Sequence, residues 1–133
     1  MILIFGGAYQ GKLDYALKRW AVTEAEVFYC SDEDTTMPGD KKIVYEIDRW
    51  ILALVRNQID VAGKIKDFIA ENKDVIVICN DISCGIVPLG EDMRAWREET
   101  GRGMAVLAQQ SNEVVRLFCG IPIIIGTNYQ GTV

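Results

Sequence analysis

The sequence predicts a three-layer α/β domain around a mostly parallel sheet, with an antiparallel strand at the C-terminal edge. Two observations favour this fold class. The runs at 1–5 and 74–80 are short and continuously apolar, which is typical of parallel strands buried on both faces. Stretches with a helical apolar stripe lie between such runs, which is the pattern of helices that cover a sheet. With 133 residues, half of them apolar, the chain is expected to form one domain over 1–133.

The remaining elements follow from periodicity, capping residues and turn signals. Helices are predicted over 11–21, 49–58, 61–71 and 91–111, and further strands over 26–30, 43–48, 114–119 and 123–125. Asp60 is the expected cap of the third helix, and the fourth is expected to bend near Gly101 and Gly103. The tail from Gly126 onward is expected to be loose.

The stretch after the first predicted strand follows the pattern of a phosphate-binding loop. Residues 6–12 fit G-x-x-x-x-G-K, in which backbone N–H groups close around phosphate oxygens at the positive end of the next helix. Lys12 would then reach the β- and γ-phosphates, and the domain would be P-loop NTPase-like. The alternative is an ordinary strand-to-helix turn with a solvated lysine. The expected nucleotide-binding residues are Gly6, Gly7, Ala8, Tyr9, Gln10, Gly11, Lys12 and Leu13.

Leu13 departs from the loop pattern at its eighth position. A Ser or Thr there would place a hydroxyl on Mg²⁺. Leu13, Ala16, Leu17 and Trp20 instead fall at i, i+3, i+4 and i+7, which forms one apolar helix face. Leu13 therefore also fits a purely structural role in the core.

Asp48 closes the strand predicted over 43–48 and allows two interpretations. In phosphate-loop proteins the strand beside the first one ends in an Asp that orders Mg²⁺, and Asp48 fits that placement. It fits equally well as the N-cap of the following helix, because Glu46 interrupts the apolar run expected of a buried strand.

Composition argues against several classes of protein. The net charge is −5 and no basic stripe is present, so nucleic acid is not an expected partner. No apolar run approaches the roughly 20 residues that span a bilayer. The N-terminus shows no basic segment before its apolar run, and a strand beginning at Met1 leaves no room for a targeting peptide, so a cytoplasmic location is expected.

The cysteines do not form a recognisable metal site. The chain has no C-x-x-C pair and no histidine, so structural zinc is not expected. Cys79 and Cys84 are the only close pair, and a reducing compartment is the expected environment. The four cysteines are Cys30, Cys79, Cys84 and Cys119.

Four segments together resemble one known family. The Gly-Gly-Ala and Gly-Lys of 6–12 resemble the Gly-Gly-x-Arg-Ser-Gly-Lys-Ser loop of the cobinamide kinase/cobinamide-phosphate guanylyltransferase family. Cys-Asn-Asp-Ile-Ser-Cys-Gly-Ile-Val-Pro at 79–88 resembles its (Ser/Thr)-Asn-Glu-Val-Gly-x-Gly-Ile-Val-Pro segment, and this match is the more specific one. Gly-Arg at 101–102 and the ending at 118–122 are also similar. The resemblance covers most of the chain except 31–47.

The resemblance implies a role in cobalamin biosynthesis. It implies binding of ATP or GTP with Mg²⁺, phosphoryl transfer to a cobinamide hydroxyl, a corrinoid partner and a homo-oligomer. The implied catalytic residues are Lys12 on the phosphates, Asp48 ordering Mg²⁺ through water, and Asp81 at the acceptor edge. The alternative is a non-catalytic relative that binds nucleotide or corrinoid or serves as an assembly partner.

Several positions depart from the family pattern. The family histidine that carries the guanylyl group has no counterpart, because the chain contains no histidine. Guanylyltransferase activity by the family mechanism is therefore expected to be lost. The other departures are Tyr9 and Gln10 for Arg-Ser, Leu13 for Ser, Leu17 for Glu, Asp81 for Glu, and Met104 and Ala105 for Asn-Gln.

Overall fold

The computed structural model describes residues 1–7, 11–82 and 90–127. Within these ranges, strands and helices alternate along the chain. In order they are β1 (Ile2–Gly6), α1 (Lys12–Arg19), β2 (Val27–Tyr29), β3 (Ile43–Tyr45), α2 (Ile47–Arg56), α3 (Val61–Glu71), β4 (Ile76–Asn80), α4 (Glu91–Gln110), β5 (Glu113–Phe118) and β6 (Ile121–Thr127). A 3₁₀-helix, Glu24–Glu26, precedes β2.

All six strands form one sheet in the order β2-β3-β4-β1-β5-β6. Every neighbouring pair is parallel except β5 and β6, which are antiparallel. The predicted fold class, a mostly parallel sheet with an antiparallel strand at its C-terminal edge, is confirmed. β1 lies between β4 and β5, so Gly6, its last residue, is near the middle of the sheet.

Helices cover both faces of the sheet, which makes the three layers. Alternate residues of β1 show this, since Leu3 belongs to one core cluster and Ile4 to the other. The Leu3 cluster includes Trp50 of α2, Phe68 of α3 and Leu107 of α4. On the Ile4 side, α1 contributes the fully buried Ala16. The continuous apolar pattern of the central strands reflects burial on both faces.

The third strand is shorter than predicted, and this changes the position of Asp48. Glu46 adopts a left-handed backbone conformation (φ 61°), which ends the strand after Tyr45 and makes Glu46 the N-cap of α2. Asp48 is consequently in the first turn of α2. Both interpretations of Asp48 were wrong: the strand before α2 is not beside β1, because β4 lies between β1 and β3, and the N-cap of α2 is Glu46.

Other boundaries differ in smaller ways. β6 continues through Gly126 to Thr127, so the expected start of a loose tail at Gly126 was wrong; pairing with β5 supplies backbone partners there. Asp60 is the N-cap of α3 as predicted, although its side chain makes no capping hydrogen bond. α4 is one α-helix through Gly101 and Gly103. Across the described ranges no helix is both long and apolar enough to cross a membrane.

Candidate nucleotide-binding site

A cleft of about 860 Å³ lies at the carboxyl ends of β3 and β4, beside the N-terminus of α1. Ligands of open α/β sheets bind at this edge, because the loops that follow parallel strands converge there. The lining includes both charged and apolar side chains. The described residues that line the cleft are Gly11, Lys12, Leu13, Asp14, Asp32, Tyr45, Glu46, Asp48, Arg49, Leu52, Asn80, Asp81, Ile82 and Trp96.

Gly6 ends β1 where the chain turns into the predicted phosphate loop. A Cβ there would lie closer than 3.0 Å to the backbone carbonyl oxygen of Leu117, so only glycine fits without a shift of β1 or β5. The Gly6 carbonyl accepts a hydrogen bond from the Asp81 amide at 2.8 Å, which ties the loop start to the end of β4. Of the other predicted loop residues, Ala8, Tyr9 and Gln10 lie outside the described ranges.

Lys12 is the first residue of α1 and is buried, with 3 % of its surface exposed. Gly11 precedes it as the N-cap with φ 79°, a conformation that glycine adopts readily. The Lys12 Nζ donates a hydrogen bond to the Gly7 carbonyl oxygen at 2.6 Å. Burial lowers the pKa of Lys12, and the nearby Asp48 and Glu46 carboxylates oppose that shift. The result is a lysine that belongs to the cleft and is not the solvated lysine of the alternative interpretation.

Hydrogen bonds connect Asp48, in the first turn of α2, with Asn80, the last residue of β4. The Asn80 amide donates to Asp48 Oδ1 at 3.0 Å, and its Nδ2 donates to Asp48 Oδ2 at 3.3 Å. The indole Nε1 of Trp96 in α4 donates to the Asp48 carbonyl oxygen at 2.7 Å. Asp48 is 3 % exposed, and this burial raises its pKa, although the hydrogen bonds from Asn80 act in the opposite direction. Asp48 thus sits in a fixed orientation at the cleft wall.

Glu46 is another carboxylate of the cleft, and sequence reasoning had not selected it. Asn80 Nδ2 donates to Glu46 Oε2 at 2.8 Å, and Arg49 Nε lies 3.2 Å from Glu46 Oε1. Its left-handed backbone is uncommon for a residue other than glycine, and such strain is frequent at functional sites. The signal that could have found it was its place as the acid that ends the apolar run of β3.

Asp81 follows β4, the strand hydrogen-bonded to β1, and lines the same cleft. In phosphate-loop proteins an acid is expected at the end of the strand beside β1. Asp81 occupies that position, and Asp48 does not. The structure therefore brings together Lys12, Asp48 and Asp81, the three residues predicted to be catalytic. Most of the family-like segment beyond Asp81 lies outside the described ranges, as residues 83–89.

Leu13 packs as its helical spacing predicted. It is partly buried and contacts the cluster on the α1 face of the sheet, together with Leu17 and Trp20, while Ala16 is fully buried. No hydroxyl is present at this position to hold a metal ion.

The cysteines contribute nothing that suggests metal binding in the described residues. Cys30 and Cys79 are buried and Cys119 is exposed, and all three are reduced. Burial raises the pKa of the Cys79 thiol, so it behaves as a small apolar side chain. Within 1–7, 11–82 and 90–127, no group of three His, Cys, Asp or Glu side chains could hold a metal ion. Cys84, the other half of the close pair, lies outside these ranges.

The mostly parallel six-stranded sheet with its antiparallel C-terminal strand is consistent with a P-loop NTPase-like α/β fold. The profile of the cobinamide kinase / cobinamide phosphate guanyltransferase family matches residues 42–125, more than half of the chain. The chain belongs to this family, whose members are nucleotide-binding proteins of cobalamin biosynthesis. The matched range contains Asp48, Asn80 and Asp81 and begins after the glycine loop. A search of curated proteins gave no significant match.

Proposed function

We propose that this chain binds ATP or GTP at residues 6–12 and transfers the γ-phosphoryl group to a hydroxyl of cobinamide. The observation that supports this most is the buried Lys12 ammonium group in a cleft at the carboxyl edge of a parallel sheet. Phosphoryl transfer depends mainly on positioning and charge neutralisation. Lys12 and the loop amides would hold the phosphates, and Asp81 would assist at the acceptor edge.

The residues of the cleft fit Mg²⁺ held through water. Mg²⁺ usually keeps several waters and takes one or two carboxylates besides the substrate phosphates. Both Asp48 oxygens already accept hydrogen bonds from Asn80, yet a carboxylate has lone pairs left for a metal-bound water. Leu13 supplies no ligand. Bound Mg²⁺ would neutralise charge on the transferring phosphoryl group, with the nucleotide phosphates and water providing most of its ligands.

The guanylyl transfer of the family has no nucleophile here. The family carries the guanylyl group on a histidine, and this chain has none. We therefore propose that only the kinase half of the family chemistry is retained.

The second candidate function is non-catalytic, and Leu13 is the observation that favours it. Leu13 packs against the cluster on the α1 face of the sheet, and it offers no hydroxyl to Mg²⁺ at the position where the family pattern has Ser. In this case the chain would bind nucleotide or corrinoid, or act as an assembly partner, without transferring phosphate.

Nucleotide-dependent stabilisation tests the proposed function. A ligand at 100 times its dissociation constant raises the free energy of unfolding by about 2.7 kcal/mol. Thermal unfolding is measured with ATP or GTP at millimolar concentration, with and without Mg²⁺, and transfer of labelled γ-phosphate to cobinamide is followed in parallel. We expect a higher melting temperature, a further rise with Mg²⁺, and labelled cobinamide. Stabilisation without labelled product would favour the non-catalytic function, and no stabilisation would contradict nucleotide binding.

The Leu13→Ser variant tests whether Leu13 has only a structural role or occupies the place of a lost metal ligand. Lost burial is expected to lower the free energy of unfolding by about 1–3 kcal/mol. Mg²⁺-dependent nucleotide affinity is expected to rise less than tenfold, measured by titration calorimetry with and without Mg²⁺. Leu17→Ser is the matched control, because Leu17 packs on the same cluster but is one turn away from the loop. A tenfold gain confined to Leu13→Ser would show a metal site that lacks only its hydroxyl.

A further inference from the structure

A second cavity, of about 470 Å³, lies beside the nucleotide cleft, between α1 and the turn that joins β5 to β6. Gly11 and Asp14 line both cavities, so the two meet at the N-terminus of α1. Along the sheet they fall on opposite sides of β1, because the cleft follows β3 and β4 whereas this turn follows β5. The described residues that line the second cavity are Gly11, Asp14, Tyr15, Lys18, Arg19 and Gly120.

The charged groups of the second cavity are already paired. Lys18 Nζ lies 3.0 Å from Asp14 Oδ2 in an ion pair at the surface. Arg19 Nη2 donates a hydrogen bond to Glu113 Oε1 at 3.0 Å. Lys18 and Arg19 are therefore expected to make no phosphate contact, unlike the buried Lys12 of the cleft. A wall whose charges cancel in this way suits an uncharged group better than a phosphate.

Tyr15 supplies an aromatic wall to this cavity, and its ring is held in place. The Tyr15 hydroxyl oxygen accepts a hydrogen bond from Arg19 Nη1 at 2.9 Å. The ring of Trp20 lies nearly perpendicular to that of Tyr15, with the two centroids 6.0 Å apart. In the β5–β6 turn, Gly120 has φ 75°, and a Cβ there would meet nothing within 4 Å. An ordered aromatic ring at the wall of an open cavity is a surface on which a planar base can pack.

We infer that this second cavity holds the nucleoside of the bound ATP or GTP, with the base packed on Tyr15, and that the larger cleft receives the acceptor. This assignment rests on the proposed nucleotide binding at residues 6–12. In phosphoryl transfer the attacking and leaving oxygens lie roughly in line at the γ-phosphorus, so the acceptor and the rest of the nucleotide extend in opposite directions. The two cavities that meet at Gly11 provide these two directions.

The lining side chains indicate which cavity takes which group. Asp81, proposed for the acceptor edge, and Asp48, proposed for Mg²⁺, both line the larger cleft. A nucleoside bound there would lie over these carboxylates and keep the acceptor away from them. The second cavity offers an aromatic wall instead, which binds adenine and guanine alike because every base has a π-face.

Photolabelling tests the direction in which the nucleotide extends. ATP with an azide on the adenine ring marks the residues beside the base when it is irradiated. In the presence of Mg²⁺, the label is expected on Tyr15 or on the turn at Gly120, located by mass spectrometry, and excess ATP is expected to prevent it. A label on β3, on α2 or on Trp96 would place the base in the larger cleft and overturn the assignment.

The affinity for ATP relative to that for inorganic tripolyphosphate tests the contact with Tyr15. Titration calorimetry is carried out with ATP, GTP and tripolyphosphate. Tyr15→Leu is expected to bind ATP and GTP about tenfold more weakly, because stacking is lost, and to bind tripolyphosphate as tightly as the parent chain. Tyr15→Phe keeps the ring and is expected to match the parent. Tyr29→Leu is the matched control, because Tyr29 is a half-exposed tyrosine on the edge strand β2, and all three affinities are expected to stay unchanged.

The outcomes distinguish the nucleoside site from the proposed function. An unchanged ATP affinity in Tyr15→Leu, or an equal loss of ATP and tripolyphosphate affinity, would overturn the nucleoside site alone. A parent chain that binds neither ATP nor tripolyphosphate would contradict the phosphate loop, and the nucleoside site would be overturned with it.

Discussion

Lys12→Met is expected to abolish the stabilisation of this chain by ATP or GTP. The Lys12 ammonium group is the buried cation of the cleft and lies at the start of α1, where the phosphates of a loop-bound nucleotide would be. Methionine has a similar length and no charge, so it keeps the packing and removes the electrostatic contact. Thermal unfolding with saturating nucleotide is expected to show a stabilisation of about 2.7 kcal/mol for the parent chain and close to zero for the variant.

The nucleotide-free variant adds a pH test of the same residue. The folded-state pKa of Lys12 is lowered by burial, so the unfolded chain binds more protons between that pKa and the ordinary value of 10.5. Stability of the parent chain therefore gains from Lys12 as pH rises through this window, and Lys12→Met lacks that gain. The free energy of unfolding of both proteins is measured at several pH values. The parent chain is expected to gain stability relative to Lys12→Met as pH rises through this window.

Lys18→Met is the matched control for Lys12→Met. Lys18 lies on the same helix, but it is exposed and its ion pair with Asp14 is a surface contact. Such pairs contribute little to stability. Nucleotide-dependent stabilisation is expected to be unchanged in Lys18→Met. Equal losses in both variants would indicate that general charge and not the loop lysine governs binding, which would contradict the proposed site.

Local sequence signals were sufficient for the centre of this fold. The apolar runs of β1 and β4 and the stripe of α1 are each read from a few adjacent residues, and the structure places them as predicted. The packing of Leu13 also followed from spacing alone, because a helix face is a local property. These elements determine where Gly6 and Lys12 lie.

Strand order was the part that the sequence could not provide. One interpretation of Asp48 placed it on a strand beside β1, but which strands become neighbours depends on contacts between distant segments. Glu46 was missed for a related reason. It was treated as a defect in a strand, whereas its left-handed conformation ends that strand and turns its carboxylate toward Asn80. The periodicity of apolar residues predicts neither the strand order nor the backbone conformation of Glu46.

Gly6→Ala is expected to produce the largest loss of stability among the glycine substitutions considered. The new Cβ would overlap the Leu117 carbonyl oxygen, which is backbone of β5 and cannot rotate away. β1 and β5 would have to separate, at a cost of about 3 kcal/mol or more. Urea unfolding measures this as a lower midpoint at unchanged slope.

Gly101→Ala is the control for Gly6→Ala, and it is expected to raise the free energy of unfolding instead of lowering it. Gly101 lies within α4, and a Cβ there meets nothing within 4 Å. Alanine in a helix interior is expected to raise the free energy of unfolding by about 0.5–1 kcal/mol, because glycine loses more backbone entropy on folding. The two variants add the same methyl group and are expected to differ in sign. A Gly6→Ala variant as stable as the parent would mean that β1 and β5 do not approach closely at the loop, and the geometry of the nucleotide cleft would then be wrong.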